Sequence, residues 1–205
     1  MKYDYIIVGA GSAGCVIANR LSEDPSNEVL LLEAGGSDRR FFIQMPIGYG
    51  VTYHQKAVNW MYMTEPSPDA DNKPSYWPRG KVMGGSSSIN AMVYVRGNPK
   101  DFDQWSEAGN PGWSYSDVLP YFKKMESWQN GPDDYRGGDG PLNVSEVSEQ
   151  LHPLCQNFLS AAQEIGIGLN KDMNGATQEG VGNYQITTHK GQRMSSSRAY
   201  LWPIK

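Results

Sequence analysis

Gly9-Ala10-Gly11-Ser12-Ala13-Gly14 lies between an apolar run, Tyr5-Ile6-Ile7-Val8, and a segment in which Ala13, Ile17 and Leu21 recur every four residues. This stretch restricts the fold more than any other. The run predicts a strand within residues 2–8, the spacing of four predicts a helix with one apolar face, and Glu23-Asp24-Pro25-Ser26-Asn27 ends that helix. A second apolar run, Val29-Leu30-Leu31-Leu32 within residues 28–33, completes a βαβ unit whose crossover is expected to be right-handed. Strands this continuously apolar suit a parallel sheet covered on both faces. Gly9 permits the tight turn, Gly11 lets main-chain N–H groups approach a pyrophosphate, and Gly14 lets the helix close on the strand. The helix start adds about half a positive charge. Glu33, which closes the second strand, is placed to accept hydrogen bonds from an adenosine ribose and to repel a 2′-phosphate. The motif therefore indicates an ADP-containing cofactor and disfavours NADP, but it does not choose between FAD and NAD.

Composition narrows the class. With 18 Lys and Arg against 22 Asp and Glu, the net charge is −4, which argues against a nucleic-acid surface. Twenty-three glycines and 13 prolines among 205 residues exclude long bundles and coiled coils and predict much irregular backbone. No apolar run approaches the ~20 residues of a membrane span. Cys15 and Cys155 cannot form a disulfide framework, and no Cys/His spacing suits a metal, so no metal site is expected. The first strand begins too early to leave room for a signal peptide. A cytoplasmic location is expected, with the inner-membrane surface as the alternative.

Beyond Glu33, residues 34–78 are irregular, and only Trp60 to Thr64 alternates like a strand. Ser87 to Met92 is positioned to open a helix after Gly84-Gly85-Ser86, and Val93-Tyr94-Val95 is β-like. Helices are predicted over Asp101–Ala108, stopped by Gly109, and over Ser116–Trp128, with Pro120 in its first turn. Leu151, Leu154, Cys155, Phe158, Ala162 and Ile165 share one face of a further helix, and a last helix is expected from Ser195 through Leu201 to Pro203.

Gly80-Lys81-Val82-Met83-Gly84-Gly85-Ser86-Ser87-Ser88-Ile89-Asn90-Ala91-Met92-Val93-Tyr94-Val95-Arg96-Gly97, followed by Asp103, closely resembles the signature of the glucose–methanol–choline (GMC) oxidoreductases. The residues Asp4–Gly14, Leu31–Gly35, Gly191-Gln192-Arg193 and Ser197–Leu201 resemble that family too, so the likeness covers essentially the whole chain. Met83 departs mildly from its usual pattern. The resemblance selects FAD. It implies an α/β fold: a Rossmann-like FAD-binding domain over residues 1–148, with a flavin-facing loop at about 76–97. The start of an α+β substrate domain is expected at 149–188, and a return to the first domain at 189–205. Gly9, Gly11, Ser12, Ala13, Gly14, Glu33 and Ala34 are implied to bind the adenosine diphosphate half. Gly84, Gly85 and Ser86 would lie against the flavin, Val82, Asn90, Ala91, Met92 and Val93 would contact it, and Trp60 would border it. Glycine lets main chain lie against a flat ring, and serine can cap a helix aimed at it.

In this family the catalytic His, with a His or Asn partner, stands near the end of a much longer chain. The resemblance thus implies that the present chain is an N-terminal portion and that its general base lies beyond residue 205. His54, His152 and His189 match no such position and are read as loop or packing residues, as are Cys15 and Cys155. The implied reaction is oxidation of a primary or secondary alcohol by hydride transfer to flavin N5, giving an aldehyde or ketone. The substrate is a small alcohol, and the electron acceptor (O2, a quinone or another) is left open. A flavin-containing hydroxynitrile lyase and a noncatalytic FAD-binding fragment are the alternatives, and an NAD-dependent dehydrogenase ranks last. Some members attach FAD through a His immediately before the Asn. Ile89 holds that position here, so the flavin is expected to be noncovalent: acid precipitation of FAD-loaded protein should leave the yellow colour in the supernatant, and colour in the pellet would refute this.

Overall fold

The computed structural model describes residues 2–204. The chain divides into two compact units, the first made of residues up to Met92 together with those from Thr188 onward, the second of Val93–Thr187. The breaks between these units fall at 92/93 and at 187/188. Composition shows no break at Met92.

In the first unit β1 (Tyr5–Val8), α1 (Ser12–Leu21) and β2 (Val29–Leu32) form the expected βαβ arrangement, with β1 and β2 parallel and Tyr5 opposite Val29 through Val8 opposite Leu32. Gly14 packs this close. A Cβ there would collide with the Gly9 carbonyl and touch Ile7 at 3.4 Å, so Ile7 faces α1. Strand alternation turns Ile6 and Val8 the other way, and they are 60% and 84% exposed. The expected burial on both faces is therefore not met among the described residues, where β1 and β2 form a two-stranded sheet.

Residues 34–92 then run through short turns. Tyr62–Met63 pairs antiparallel with Tyr76–Trp77, agreeing with the alternation at Trp60–Thr64. Ile43, Val58, Val82 and Ile89 form a buried cluster beneath them. The helix expected over Ser87–Met92 is a 3-10 turn, Gly85–Ser88, because the Asn90 side chain accepts the Met92 N–H at 3.1 Å and diverts the chain into a left-handed Met92 (φ +63°). At the chain's far end Ser197–Leu201 is a π-helical turn, followed by a 3-10 turn at Trp202–Ile204 that contains Pro203, rather than a single helix from Ser195.

The second unit carries helices at Pro99–Glu107, Tyr115–Met125 and Leu154–Glu164. The first two start with capping boxes, Asn98 with Asp101 and Ser114 with Asp117. Pro120 lies inside the second helix, beyond its first turn, and the helix stops at Met125 so that Glu126–Trp128 can pair in parallel with Leu142–Val144. In the third helix Leu159 and Ala162 are buried, whereas Phe158 is 69% exposed and Leu154 and Ile165 are exposed too. The face chosen by spacing alone is thus mostly turned outward. What anchors this unit is ionic. Glu126, fully buried, accepts from Arg96 Nη2 at 2.8 Å, from Arg136 Nη2 at 2.6 Å and from the Gly137 N–H at 2.9 Å. Arg136 also donates to both Asp172 oxygens at 2.8 Å and lies 4.1 Å from the Trp128 ring centroid. Burial would raise the Asp172 carboxyl, but the hydrogen bonds from Gln185 and Arg136 outweigh it and hold its pKa below the ordinary value.

Glu126→Gln leaves Arg96 without a counter-charge and Arg136 with Asp172 alone, and is expected to cost about 3–5 kcal/mol. Urea unfolding followed by tryptophan fluorescence and far-UV circular dichroism measures this, and a loss under about 1 kcal/mol would show that the network is not what holds the unit.

Candidate functional site

The carboxyl ends of β1 and β2 open onto a cleft of about 560 Å³ in the first unit, lined by Val8, Gly9, Gly11, Leu32, Glu33, Ala34, Trp60, Gly80 and Gly85. Ligands of parallel α/β sheets sit at such strand ends. Each part has a local cause. The N-cap of α1 is Gly11, with no side chain to bond the first-turn N–H groups of the helix, so that turn is uncapped. Ser12 and Ala13 are exposed there, and Gly14 is buried under the turn. Glu33 is sewn into the turn itself: Oε2 accepts the Ala10 N–H and Oε1 the Gly35 N–H, both at 2.8 Å. Each oxygen keeps a further lone pair for a ligand diol.

The second glycine segment meets the first main chain to main chain. Gly84 N–H donates to the Ala10 carbonyl at 2.7 Å, and a Cβ on Gly85, whose φ is +55°, would stand 2.8 Å from the Gly11 Cα. Only glycine suits both the backbone and the contact at Gly85. Serines brace this loop without entering the cleft: Ser87 Oγ donates to the Gly84 carbonyl and Ser88 Oγ to the Met83 carbonyl, both at 2.6 Å, and Ser86 Oγ accepts the Gly80 N–H at 3.1 Å. Trp60 is 42% exposed, stacks on Tyr62 at 5.9 Å and has Lys81 Nζ 4.6 Å from its ring centroid. It is a cleft wall, not a core anchor.

A smaller cleft of about 310 Å³ lies against the same loop, lined by Tyr49, Tyr53, Pro78, Arg79, Ser86, Ile89, Asn90 and Ala91. The residues expected at the cofactor thus separate into groups. Gly9, Gly11, Glu33, Ala34, Trp60 and Gly85 line the larger cleft, and Ser86, Asn90 and Ala91 line the smaller. Val82 is buried with Ile43, Val58 and Ile89, so its side chain faces the core and only its main chain is left to meet a ligand. Met92 is buried too, and Val93 belongs to the second unit. Sequence reasoning did not find Val8, Leu32, Tyr49 or Tyr53, and it reached Pro78 and Arg79 only as part of the loop at about 76–97. Val8 and Leu32 had a signal, being the last residues of their strands, whereas the others lie in irregular chain with no periodicity to mark them.

His54 stacks on Tyr76 at 5.7 Å, His152 Nδ1 accepts the Leu154 N–H at 3.2 Å, and His189 pairs with Gln192 in a two-residue ladder. None of them lines either cleft. An uncapped helix start, a carboxylate with spare acceptor capacity and a main-chain cradle that a Cβ would fill together fit a dinucleotide carrying a diphosphate and an adenosine ribose.

Residues 3–205 match the family model described as GMC oxidoreductase. The chain is 52% identical over 200 residues to the oxygen-dependent choline dehydrogenase of Photobacterium profundum, covering 97% of this chain and 35% of that protein. It is 50% identical over 203 residues to the alcohol dehydrogenase [acceptor] of Pseudomonas putida, covering 98% of this chain and 37% of that one. The solved structure of an FAD-dependent oxidoreductase from Chaetomium thermophilum superposes with a TM-score of 0.88 at 32% identity, over 97% of this chain and 36% of that one. The chain therefore spans little more than a third of the length of the relatives it matches.

Two substitutions probe the cleft. Gly85→Ala is expected to weaken dinucleotide binding at least tenfold, because the added carbon must displace Gly11, and Glu33→Gln to weaken it roughly threefold to tenfold while leaving the backbone braced. Isothermal titration measures both, and unchanged affinity in Gly85→Ala would remove the cleft from consideration.

Proposed function

Because the chain belongs to the GMC oxidoreductase family, we propose that its larger cleft holds FAD noncovalently, as part of an oxidoreductase acting on the CH–OH group of a small alcohol. The single observation that carries this reading is the meeting of two distant glycine segments, Gly9–Gly14 and Gly80–Gly85, with Glu33 and Trp60 around one cleft. The names of the choline and alcohol dehydrogenase relatives support an alcohol substrate.

When bound, FAD supplies a two-electron acceptor for the alcohol carbon's hydrogen. The chain's own residues bind and orient. The first-turn N–H groups of α1, beginning at Ser12, and the Gly11 main chain receive the diphosphate, where the helix start contributes up to about 1 kcal/mol per charge and more where water is excluded. Glu33 takes the adenosine ribose hydroxyls while holding Ala10 and Gly35 in place. Gly85, from the larger cleft, and Ser86, Asn90 and Ala91, from the smaller, are read as the stretch of loop that the ring lies against, with Gly84 behind them. Trp60 closes the cleft beside Gly80. Removal of the alcohol proton is assigned to no residue of this chain. The first unit is read as the FAD-binding portion and the second as the opening of the substrate-binding portion.

Refolded or native protein incubated with FAD and passed through a desalting column should emerge yellow at about one flavin per chain, and a parallel incubation with NAD should leave no bound nucleotide. Protein that emerges colourless, or that retains NAD instead, would end this reading.

A further inference from the structure

Arg193 has no exposed surface and reaches across the first unit to the loop just described. Its Nε donates to the Ile43 carbonyl at 2.9 Å, and Nη1 donates to the Ser87 carbonyl at 3.2 Å and to Asn90 Oδ1 at 2.9 Å. Nη2 is buried and has no acceptor among the described residues. Arg193 makes no ion pair there either, so a full positive charge is held out of water against neutral oxygens alone. Burial pulls its pKa down to about 10, which still leaves it charged at neutral pH. The buried carboxylate of the neighbourhood, Asp38, is engaged elsewhere: it accepts from Ser195 Oγ at 3.4 Å and Trp202 Nε1 at 3.3 Å, and it acts electrostatically on Arg198.

A buried charge without a counter-charge is costly, and a neutral side chain of similar shape would satisfy the Ile43 and Ser87 carbonyls more cheaply. The arrangement makes sense if the compensating charge arrives with a ligand. Asn90 joins the two: Oδ1 accepts from both Arg193 and the Met92 N–H, and the residue lines the smaller cleft. Ser196 strengthens the same attachment, its N–H donating to Ser87 Oγ at 2.9 Å. We propose that Arg193 is a positioning residue that fixes the Asn90–Ala91 wall and lends it an unneutralised positive charge, biasing a flavin bound against that wall toward its reduced form. This inference rests on the FAD reading above. Two-electron reduction with uptake of one proton leaves one negative charge on the flavin ring, and that charge would complete the pairing Arg193 lacks in the protein itself.

The test compares FAD-loaded wild type, Arg193→Lys and Arg193→Met, each equilibrated anaerobically with dithionite as the reductant and a redox dye of similar potential. The oxidised-to-reduced flavin ratio is read from absorbance, and FAD affinity is measured separately. At fixed dye potential Arg193→Met should shift the ratio roughly tenfold toward oxidised flavin, which is about 30 mV for a two-electron couple. Arg193→Lys, which keeps the charge but cannot span three acceptors, should stay within about threefold of wild type in that ratio while binding FAD at least threefold more weakly. Ratios unmoved in both variants, or moved equally in both, would overturn the role of the charge. Should Arg193→Met not fold, Arg193→Lys decides: weaker binding at an unchanged ratio supports the proposal, and a ratio that moves tenfold toward oxidised flavin as binding weakens overturns it. Wild type that takes up no FAD would instead overturn the underlying reading, an outcome visible before any variant is made.

Discussion

Gly84 donates to the Ala10 carbonyl while Gly85 lies against the Gly11 Cα, so that two stretches of main chain some seventy residues apart touch with no side chain between them. Much of the first unit follows from this contact. It gives Gly80 and Gly85 to the larger cleft and Ser86, Asn90 and Ala91 to the smaller, and it sends Val82 and Ile89 inward to pack with Ile43 and Val58. It brings Gly80 and Gly85 beside Glu33. A main-chain contact of this kind tolerates no added volume on either side, because backbone cannot rotate away as a side chain can.

Where the pattern is local, the sequence foretold the fold closely. The β1–α1–β2 arrangement needed only an apolar run, three glycines and a spacing of four, and Glu33 fell where its carboxylate meets the fingerprint turn. The helices expected from Asp101 and Ser116 start within two residues of those positions, at Pro99 and Tyr115, set by capping boxes at Asn98 and Ser114 that the expectation did not use. The GMC resemblance, by contrast, came from a long stretch whose residues gain their meaning only when the chain folds back on itself.

What was not legible involves partners far apart in sequence. The second unit is built around Arg96, Glu126, Arg136 and Asp172, four charged residues with no spacing that links them, and no shift of composition at Met92 marks its edge. The helix at Leu154–Glu164 buries Leu159 and Ala162 because those residues meet Val181, a contact that periodicity cannot see. Ser87–Met92 failed as a helix because one side-chain oxygen, on Asn90, competed for the Met92 N–H. The expectation of strands sheltered on both sides is unmet at Ile6 and Val8, since only the α1 side is covered among the described residues.

The first unit is discontinuous, and this has a temporal side. Residues 93–187 emerge from the ribosome ahead of Arg193, so every member of their ionic core is outside while the earlier unit still awaits its closing segment. Until Arg193 and Ser196 are synthesised, the carbonyls of Ile43 and Ser87 have only water to satisfy them, and Asn90 lacks its second donor. During translation the inserted unit is thus free to mature first, and the surrounding one is buttoned shut last.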